Sequence, residues 1–515
     1  MARIGVMEVP AAGGTGEAQR VRGSILAAIP LAIVVLGYWL QSQTYLNHDV
    51  SWTLVAGNRL IDGAGWGTGV VEPNFPLAWW FAIIPNLIAR SFAIDPVVAL
   101  RIVVTALILY SLWCTDYFLR KDEAPRIKRV AVVSLAAYLL TIAVHRDFGQ
   151  REHLAVLLLL PYVMAVAHRM AGRTIAWPLA LAIGVAAGLG TAIKPFFAVT
   201  PVLLELALLW KWRSLRSVTR PEAIGAIAAV TAYGLAILLF GRPWFEHVVP
   251  DSLRIYWAFS SPLASHAGYL LMKFSLLTGC ALLIVRRRPN PQFIALTLAA
   301  LGFFGSLLWQ SEYFTYHVYP AFTFLALAVA MALPGIRRDA KLIVLALFAL
   351  AMAQNVNETA RTLIDRSASG GLGRHIASVA GFVAAEVPPQ GSFTAISTHP
   401  YPGFPTALYA GRRWTSASIS RLYLPAVVRL RTGQVPADPE LLRFAERMAR
   451  EDMMRDMALR PDVVLIDVGK DRFAIGSAKF DFLAFYLEDP AFAREWSAYR
   501  KSDAKLARID AYVRM

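Results

Sequence analysis

The stretch NHDVSW follows the first long apolar run and sets an imidazole beside a carboxylate, His48 and Asp49. Either group can accept a proton from a hydroxyl, so the pair is a candidate for general-base chemistry. The alternative is that Asp49 caps a helix that starts at Val50, and the residues alone slightly favour the cap. The two roles are compatible. His48 is better suited to a supporting position than to the role of base.

Further ionisable and polar residues gather at one set of helix ends rather than along the whole chain. Such residues are costly near a membrane interior, so their concentration predicts a polar, ion-lined cavity on one face of the protein. The candidates in this group are Glu72, Asn74, Asp147, Arg151, Glu152, Lys194, Arg254, Glu312, Tyr313 and His317.

Several of these residues have a purely structural alternative. Arg151 and Glu152 could form an ion pair at a helix end. Lys194 could extend its ammonium group to the lipid headgroups. The aromatic segment that contains Glu312 and His317 could be an interfacial belt. The sequence leaves both interpretations open for each residue.

Two carboxylates, Glu72 and Asp147, could together bind a divalent cation, because Mg²⁺ and Ca²⁺ prefer oxygen ligands. Nothing else in the sequence requires a cofactor. Arg59 and Asp62 lie three residues apart, a spacing that is typical of an ion pair on one face of a helix. Cys114 and Cys280 lie inside apolar runs and are expected to be small buried hydrophobes.

The elements that position these residues are long apolar helices. The 515 residues are 57% hydrophobic and only 17% charged, which excludes an ordinary soluble domain. The apolar runs have the length of membrane spans. Eleven spans are predicted, at residues 24–42, 96–118, 130–145, 152–168, 175–192, 195–211, 223–241, 268–285, 292–309, 318–334 and 341–355.

The formal net charge of +16 comes largely from basic linkers that alternate with the polar ones. The positive-inside rule places the basic linkers in the cytoplasm, and nothing indicates a nucleic-acid partner. We therefore expect residues 1–23 to be a cytoplasmic tail and residues 24–355 to be the transmembrane domain. Residues 356–515 are expected to form a small α/β domain on the outer, periplasmic face.

Two outer segments carry further predictions of structure. Segments VSWTLVAGNRLIDG and FPLAWWFAIIPNLIARSF have apolar residues at helical spacing, which predicts two amphipathic surface helices in the first outer loop. In the tail, GSFTAIST, PDVVLIDVG and KLARIDAYVRM are predicted strands, and PELLRFAERMAREDMMRDMALR is a predicted helix. The aromatic, proline-rich segment 397–414 could cover the mouth of the cavity.

The first outer loop, HDVSWTLVAGNRLIDGAGWGTGVVEPNFPLAWW, resembles the GT-C superfamily. It has an acid just after span one, then a surface helix, then an ExNxP loop. These membrane glycosyltransferases use polyprenyl-phosphate sugars and include protein O-mannosyltransferases and lipid A aminoarabinose transferases. The resemblance also covers the short join after span three and the outer C-terminal domain. Many relatives have two acids in this loop, where this chain has His48 beside Asp49, which leaves the acceptor type open.

The resemblance implies an inverting glycosyltransferase of a bacterial inner membrane, with Asp49 as the base on an acceptor hydroxyl. It implies basic residues that hold the donor phosphate, here Arg151, Lys194, Arg254 and His317. The expected partners are a polyprenyl-phosphate sugar, a glycan, lipid or protein acceptor, and membrane lipids. A lipid or polysaccharide transporter and a non-catalytic membrane scaffold are the alternatives. The sequence does not name the sugar or the acceptor.

Overall fold

The computed structural model describes residues 14–286, 289–336 and 338–515. Residues 1–13 of the predicted cytoplasmic tail lie outside the described residues, and the first described helix begins at Gly14. Helices dominate the chain as far as Glu386. They are α1 (Gly14–Ser42), α2 (His48–Ile61), α3 (Leu77–Phe81), α4 (Ile83–Phe92), α5 (Pro96–Lys121), α6 (Arg126–Thr141), α7 (Arg151–Met170), α8 (Trp177–Ala192), α9 (Val199–Trp212), α10 (Pro221–Phe240), α11 (Val249–Ile255), α12 (Ala267–Val285), α13 (Pro291–Gln310), α14 (Thr315–Ala332), α15 (Arg338–Arg366) and α16 (Gly371–Glu386).

Each predicted span coincides with one of these helices. Within the described residues, eight helices are long and apolar enough to cross a membrane. Two further predicted spans fall on the shorter apolar helices Ala28–Ser42 and Trp177–Ala192, and the remaining one falls on α6, which has 16 residues. The prediction of a multi-span α-helical membrane protein is confirmed. The count of eleven spans stays a prediction.

Local sequence signals explain where these helices begin. Asp95 accepts a hydrogen bond from the backbone N–H of Val97 at 2.6 Å and Pro96 occupies the first turn of α5. Asn290 and Pro291 start α13 in the same way. A side-chain acceptor satisfies an orphan N–H, and proline loses nothing at a position where its N–H would be unpaired.

The bundle has α7 at its centre, and nearly all of this helix is buried. A helix that is apolar all round is stable only where other helices surround it. Because α7 begins at Arg151, the two charged residues Arg151 and Glu152 lie at the outer end of the most enclosed helix. Helix α14, also mostly buried, brings His317 to the same end.

The first outer loop carries the predicted surface helices. The first is α2, and the second is divided near Ala82 into α3 and α4. Between them, Gly67 has φ +88° and an added Cβ would lie 2.5 Å from the backbone nitrogen of Trp244. Only glycine fits this close, left-handed position, which ties the loop to the segment after α10.

The tail contains a mixed five-stranded sheet in the order β2-β1-β3-β5-β4. The strands are β1 (Ser392–Ile396), β2 (Arg413–Trp414), β3 (Val463–Asp467), β4 (Tyr499–Lys501) and β5 (Ile509–Arg514). Strand β1 is parallel to β2 and β3, whereas β5 is antiparallel to β3 and β4. The accompanying helices are α17 (Thr406–Ala410), α18 (Leu424–Arg431), α19 (Pro439–Ala458), α20 (Phe482–Leu487) and α21 (Pro490–Trp496).

The predicted small α/β region is confirmed, with strands and a helix at the segments proposed for them. Helix α15 does not end at residue 355 but continues to Arg366. The domain boundary predicted at 355/356 therefore falls inside a continuous helix. The division into domains stays a prediction.

Candidate functional site

A cavity of about 370 Å³ lies between the first outer loop, the outer ends of the membrane helices and the tail. Its walls combine acids, arginines, histidines and aromatic rings. They are formed by Asn47, His48, Asp49, Trp52, Thr53, Glu72, Pro73, Asn74, Trp79, Arg146, Arg151, Tyr256, Phe259, Glu312, Phe314, Tyr316, Arg366, His399, Pro400, Ile419, Ser420, Leu422 and Phe473. Residues from distant parts of the chain thus meet in one partly enclosed cavity with polar and aromatic walls.

Asp49 lies in the first turn of α2, and the helix cap is Asn47. The Asn47 side-chain oxygen accepts the Asp49 backbone N–H at 3.0 Å, so the interpretation of Asp49 as the cap is wrong. Because Asn47 performs the capping, the Asp49 carboxylate is free to point elsewhere. Its Oδ2 accepts a hydrogen bond from Gln150 Nε2 at 2.7 Å, and its Oδ1 lies 3.5 Å from His48 Nε2.

The environment keeps the Asp49 carboxyl ionised. Burial alone would raise its pKa, but His48, Arg151 and the Gln150 hydrogen bond together lower the pKa below its usual value. Burial also lowers the pKa of His48, so the His48 ring is neutral near pH 7. At that pH, Arg151 and Gln150 are therefore the groups that stabilise the Asp49 carboxylate.

Glu72 lies in the same cavity, but its pKa is shifted in the direction opposite to that of Asp49. Its carboxylate accepts hydrogen bonds from Asn74 Nδ2 at 2.6 Å and Trp52 Nε1 at 3.2 Å, which fix its orientation. Burial raises the pKa of Glu72, in spite of the opposing effects of Arg151 and Asn74. Two carboxyls with pKa values displaced in opposite directions thus line one cavity.

Arg151 is a buried cation in the wall of the cavity. Its guanidinium lies 5.6 Å from the centre of the Trp79 ring. Its Nη1 is buried and has no hydrogen-bond partner among the described residues. A buried N–H group without an acceptor is costly, so this group is suited to an anionic ligand.

Behind the cavity wall, Lys194 belongs to a closed network. Its ammonium nitrogen donates to Glu152 Oε1 at 2.7 Å, Gln310 Oε1 at 3.0 Å and His317 Nε2 at 2.9 Å. His317 Nδ1 lies 2.7 Å from the Glu312 carbonyl and donates to it, so Nε2 is the unprotonated acceptor. The three N–H groups of Lys194 are thereby satisfied, and neither Lys194 nor His317 lines the cavity.

Asp147 is held beside the cavity by two neighbouring elements. Asn47 Nδ2 donates to its Oδ1 at 3.0 Å, and Arg146 Nε lies 3.8 Å away. Burial raises the pKa of Asp147 to about 6. Among the described residues, no group of three or more His, Cys, Asp and Glu side chains is arranged to hold a metal ion. A cation between Glu72 and Asp147 stays an untested prediction.

The remaining predicted site residues divide between the cavity and other places. Asn74 and Glu312 line it, and burial raises the pKa of Glu312. Arg254 is half-exposed and lies 3.9 Å from the centre of the Phe444 ring in the tail. Tyr313 packs against His266, with ring centres 5.0 Å apart. Arg254 and Tyr313 are therefore not brought to the cavity.

The sequence interpretation missed His399, whose ring lies 4.7 Å from that of His48. The signal was the 397–414 segment, which was predicted to cover the cavity mouth and does supply His399 and Pro400 to the wall. Arg366 was also missed. Arg366 ends α15 and donates hydrogen bonds to the carbonyls of Tyr45 and Leu46. Because these segments are far apart in the sequence, no local pattern predicts the contact.

The expected ion pair between Arg59 and Asp62 is absent, since each residue has another partner. Asp62 pairs with Arg90 at 2.7 Å. Arg59 reaches across to the tail, where it donates to the carbonyl of Ser416 at 2.6 Å and to that of Trp414. The surface helix α2 therefore serves as a platform on which the tail docks.

No family model and no curated protein matches this chain. Solved structures do match. The apo crystal structure of ArnT from Cupriavidus metallidurans has a TM-score of 0.57 at 11% identity, over 96% of this chain and 98% of that chain. The same protein bound to undecaprenyl phosphate has a TM-score of 0.58 at 11% identity, over 97% and 98%.

The mycobacterial arabinofuranosyltransferase AftD is less similar, with a TM-score of 0.48 at 14% identity, over 95% of this chain and 41% of that chain. At these identities the ArnT comparisons define the fold. The chain therefore has the fold of ArnT along nearly its whole length, and the fold that the sequence resemblance implies is confirmed.

Proposed function

We propose that this protein is a membrane glycosyltransferase that moves a sugar from a polyprenyl-phosphate donor to an acceptor hydroxyl. The observation that carries the proposal is that an ionised carboxylate, Asp49, and an arginine with an unpartnered buried Nη1 atom, Arg151, line the same cavity. The fold adds support, because ArnT with this architecture has been crystallised with undecaprenyl phosphate.

In the proposed reaction, Asp49 accepts the proton of the acceptor hydroxyl as its oxygen attacks the anomeric carbon of the sugar. The bond between that carbon and the phosphate oxygen breaks, and the electron pair leaves with the polyprenyl phosphate. A single displacement of this kind inverts the anomeric configuration. The hydrogen bond from Gln150 and the supporting position of His48 hold the carboxylate in place for the transfer.

Arg151 is proposed to bind the donor phosphate and to stabilise the charge that develops on it as the bond breaks. Arg151 is buried in the first turn of the central helix, and its guanidinium packs against Trp79. Arg146 and Arg366 line the same cavity and add positive potential. Lys194, His317 and Arg254, which were also predicted to contact the phosphate, lie outside the cavity wall and are not assigned this role here.

The proposal places the protein in a bacterial inner membrane, with the cavity and the tail on the periplasmic side. The support is the distribution of basic linkers, which contain the arginines at the ends of the helices that lie opposite the cavity. The acceptor is any glycan, lipid or protein hydroxyl that reaches Asp49 in a cavity of this size.

The test is the Asp49→Asn variant, which keeps the shape of the side chain and removes its basicity. We expect the variant to fold normally and to lose at least about 1,000-fold in transfer, in line with the loss of a catalytic base and of its electrostatic contribution. The measurement is mass spectrometry of envelope glycans and lipids from cells that lack the protein and carry either wild type or variant.

The matched control is Asp62→Asn, which removes an exposed carboxylate at the other end of the same helix. It should restore the wild-type envelope. A fully active Asp49→Asn protein would refute the assignment of the base. Transfer by purified wild type from an undecaprenyl-phosphate sugar in detergent, without any gradient, would separate this function from transport.

A further inference from the structure

A second groove lies at the other end of the bundle, between α1, α5 and α6. Its volume is about 520 Å³. Helix α1 packs along α6 and touches α5 only briefly, which leaves the space between α1 and α5 open to the surrounding membrane. The lining residues are Pro30, Leu31, Val34, Leu109, Leu112, Trp113, Asp116, Arg120, Arg126, Arg129, Val130 and Val133.

The groove is remote from the cavity described above. Leu100 and Arg151 line the same small space near the outer end of α5, and Arg120 lies twenty residues further along this helix. At 1.5 Å per residue the separation is about 30 Å, which is about the thickness of the hydrocarbon core. The arginines of the groove therefore lie at the level of the opposite lipid headgroups.

Charge and polarity are segregated along the groove. One end is apolar, and three of its side chains, Leu31, Leu109 and Trp113, are 56%, 43% and 48% exposed. The other end carries Arg120 and Arg129 around a single aspartate, Asp116, so this cluster has a net positive charge. An acyl chain matches the first part, and an anionic headgroup matches the second.

The arginines are held in place by one shared carboxylate. Asp116 Oδ2 lies 3.0 Å from Arg120 Nε, and Asp116 Oδ1 lies 2.9 Å from Arg129 Nη2. One carboxylate cannot neutralise two guanidinium groups, so the cluster keeps a positive charge. The contact with Asp116 also fixes the orientation of each guanidinium group. Guanidinium groups bind phosphate through paired N–H donors, and basic pockets between membrane helices attract the anionic lipids of the cytoplasmic leaflet.

We propose that this groove is a binding site for an anionic glycerophospholipid, with its phosphate against Arg120 and Arg129 and one acyl chain along Leu109 and Trp113. The site is independent of the cavity and of the proposed reaction. It would fix the position of α1, the helix that leads directly into the first outer loop.

The test is native mass spectrometry of the full-length protein, delipidated in detergent and titrated with palmitoyl-oleoyl phosphatidylglycerol or with the phosphatidylcholine of the same chains. Wild type should retain the anionic lipid selectively. The double variant Arg120→Gln/Arg129→Gln should bind phosphatidylglycerol about ten- to thirty-fold more weakly, because each arginine near an anionic headgroup contributes a severalfold preference.

Two further variants keep the test decisive if the double variant folds poorly. Asp116→Asn removes the competing carboxylate and should bind phosphatidylglycerol more tightly than wild type. Leu109→Trp fills the apolar part and should weaken binding without any change of charge. The matched control, Arg213→Gln/Arg216→Gln, removes two exposed arginines from another basic linker and should leave binding unchanged.

Three results would overturn the proposal. One is equal retention of phosphatidylglycerol and phosphatidylcholine by wild type. Another is an equal loss in the control double variant, which would indicate attraction to the basic face as a whole. The third is retention of undecaprenyl phosphate but not phosphatidylglycerol at this groove, which would make the site a second donor site.

Discussion

Lys194 shows how a charged residue near a site can be structural. A buried lysine that donates to a glutamate, a glutamine and a histidine has no N–H group left for a ligand. From sequence alone, the same lysine is equally consistent with a phosphate contact. The three hydrogen-bond partners of Lys194 decide between a structural role and a phosphate contact. They come from three different helices, so local sequence spacing does not reveal them.

Replacing Lys194 by Met should lower the stability of the protein by about 3–5 kcal/mol, because Glu152 would be left as a buried charge without its direct partner. The measurement is thermal unfolding in detergent. Adding Glu152→Gln should recover part of the loss. The affinity for undecaprenyl phosphate, measured by tryptophan fluorescence, should fall far more in Arg151→Gln than in Lys194→Met. A larger loss of affinity in Lys194→Met than in Arg151→Gln would indicate that Lys194 contacts the donor phosphate.

Asp147 offers a test of electrostatics through pH. Because burial raises its pKa to about 6 from the usual 3.8, the folded state holds its proton more tightly than the unfolded state does. The resulting stabilisation is complete below pH 3.8 and is lost as the pH rises through 6. When the pH is lowered from 7.5 to 5, the free energy of unfolding of wild type should rise by about 1 kcal/mol relative to that of Asp147→Asn.

The readout is the difference in unfolding midpoint between wild type and Asp147→Asn at the two pH values. Other titrating groups, such as His399, whose pKa burial lowers to about 3, act equally on both proteins and cancel in the difference. Asp62→Asn should show no such trend. A constant difference across the pH range would mean that Asp147 is not perturbed.

Among the elements, α8 and α10 form a particularly close pair. An added Cβ at Gly184 would lie 2.1 Å from the Glu222 carbonyl oxygen, and one at Gly188 would lie 2.4 Å from that of Ala226. Small residues four apart let two membrane helices approach until their backbones touch. This contact holds α10 against α8, which in turn packs against the central helix α7.

Gly184→Ala should therefore force the two helices apart and destabilise the protein by about 1–3 kcal/mol. Gly234→Ala is the matched control on α10, since nothing lies within 4 Å of its added Cβ. Alanine is also the better helix former, so the control should be neutral or slightly stabilising. Chemical or thermal unfolding of both variants in the same detergent would decide, and equal stability would contradict the close packing.

Prediction of the elements succeeded where the periodicity was long and failed where it was short. The membrane helices were evident because a span needs many consecutive apolar residues. Strands β1, β3 and β5 were identified from runs of β-branched residues bounded by Pro, Gly or polar residues. Strands β2 and β4 have two and three residues and were missed, because so short a segment has no pattern of its own.

The candidate site was predictable only in part, for a related reason. Asp49, Glu72, Asn74, Arg151 and Glu312 were identified because a concentration of ionisable and polar residues is unusual at the ends of apolar helices. Arg254 and Tyr313 share that signal and yet face other neighbours. Which side of a helix end faces the cavity depends on the packing angle of the whole bundle, and a single sequence does not carry this information.

For the molecule as a whole, the tail docks on the first outer loop through α2. Arg59 donates to two tail carbonyls, and the Tyr409 hydroxyl accepts the backbone N–H of Leu46 at 2.9 Å. The rings of Trp52 and Phe404 lie 5.3 Å apart across the same boundary. The docked tail completes the cavity, since His399 and Phe473 come from it.

Arg59→Gln should loosen this docking, because two buried carbonyls lose a charged donor. We expect amide hydrogen exchange in residues 413–420 to accelerate about ten-fold, with little change in the membrane helices. Arg90→Gln is the control, because Arg90 belongs to the same loop and, among the described residues, pairs with Asn58 and Asp62 and not with the tail. Unchanged exchange in Arg59→Gln would show that the tail is held by its apolar contacts alone.

Part of the cavity wall comes from residues 47–74 and another part from residues 399–473, and nearly all the membrane helices lie between these two parts in the sequence. During translation, the first part of the wall is synthesised long before the second part. A nascent chain whose membrane helices have all been inserted still lacks the six wall residues that the tail supplies. The order of synthesis therefore delays completion of the cavity wall until the last third of the protein has been made and folded.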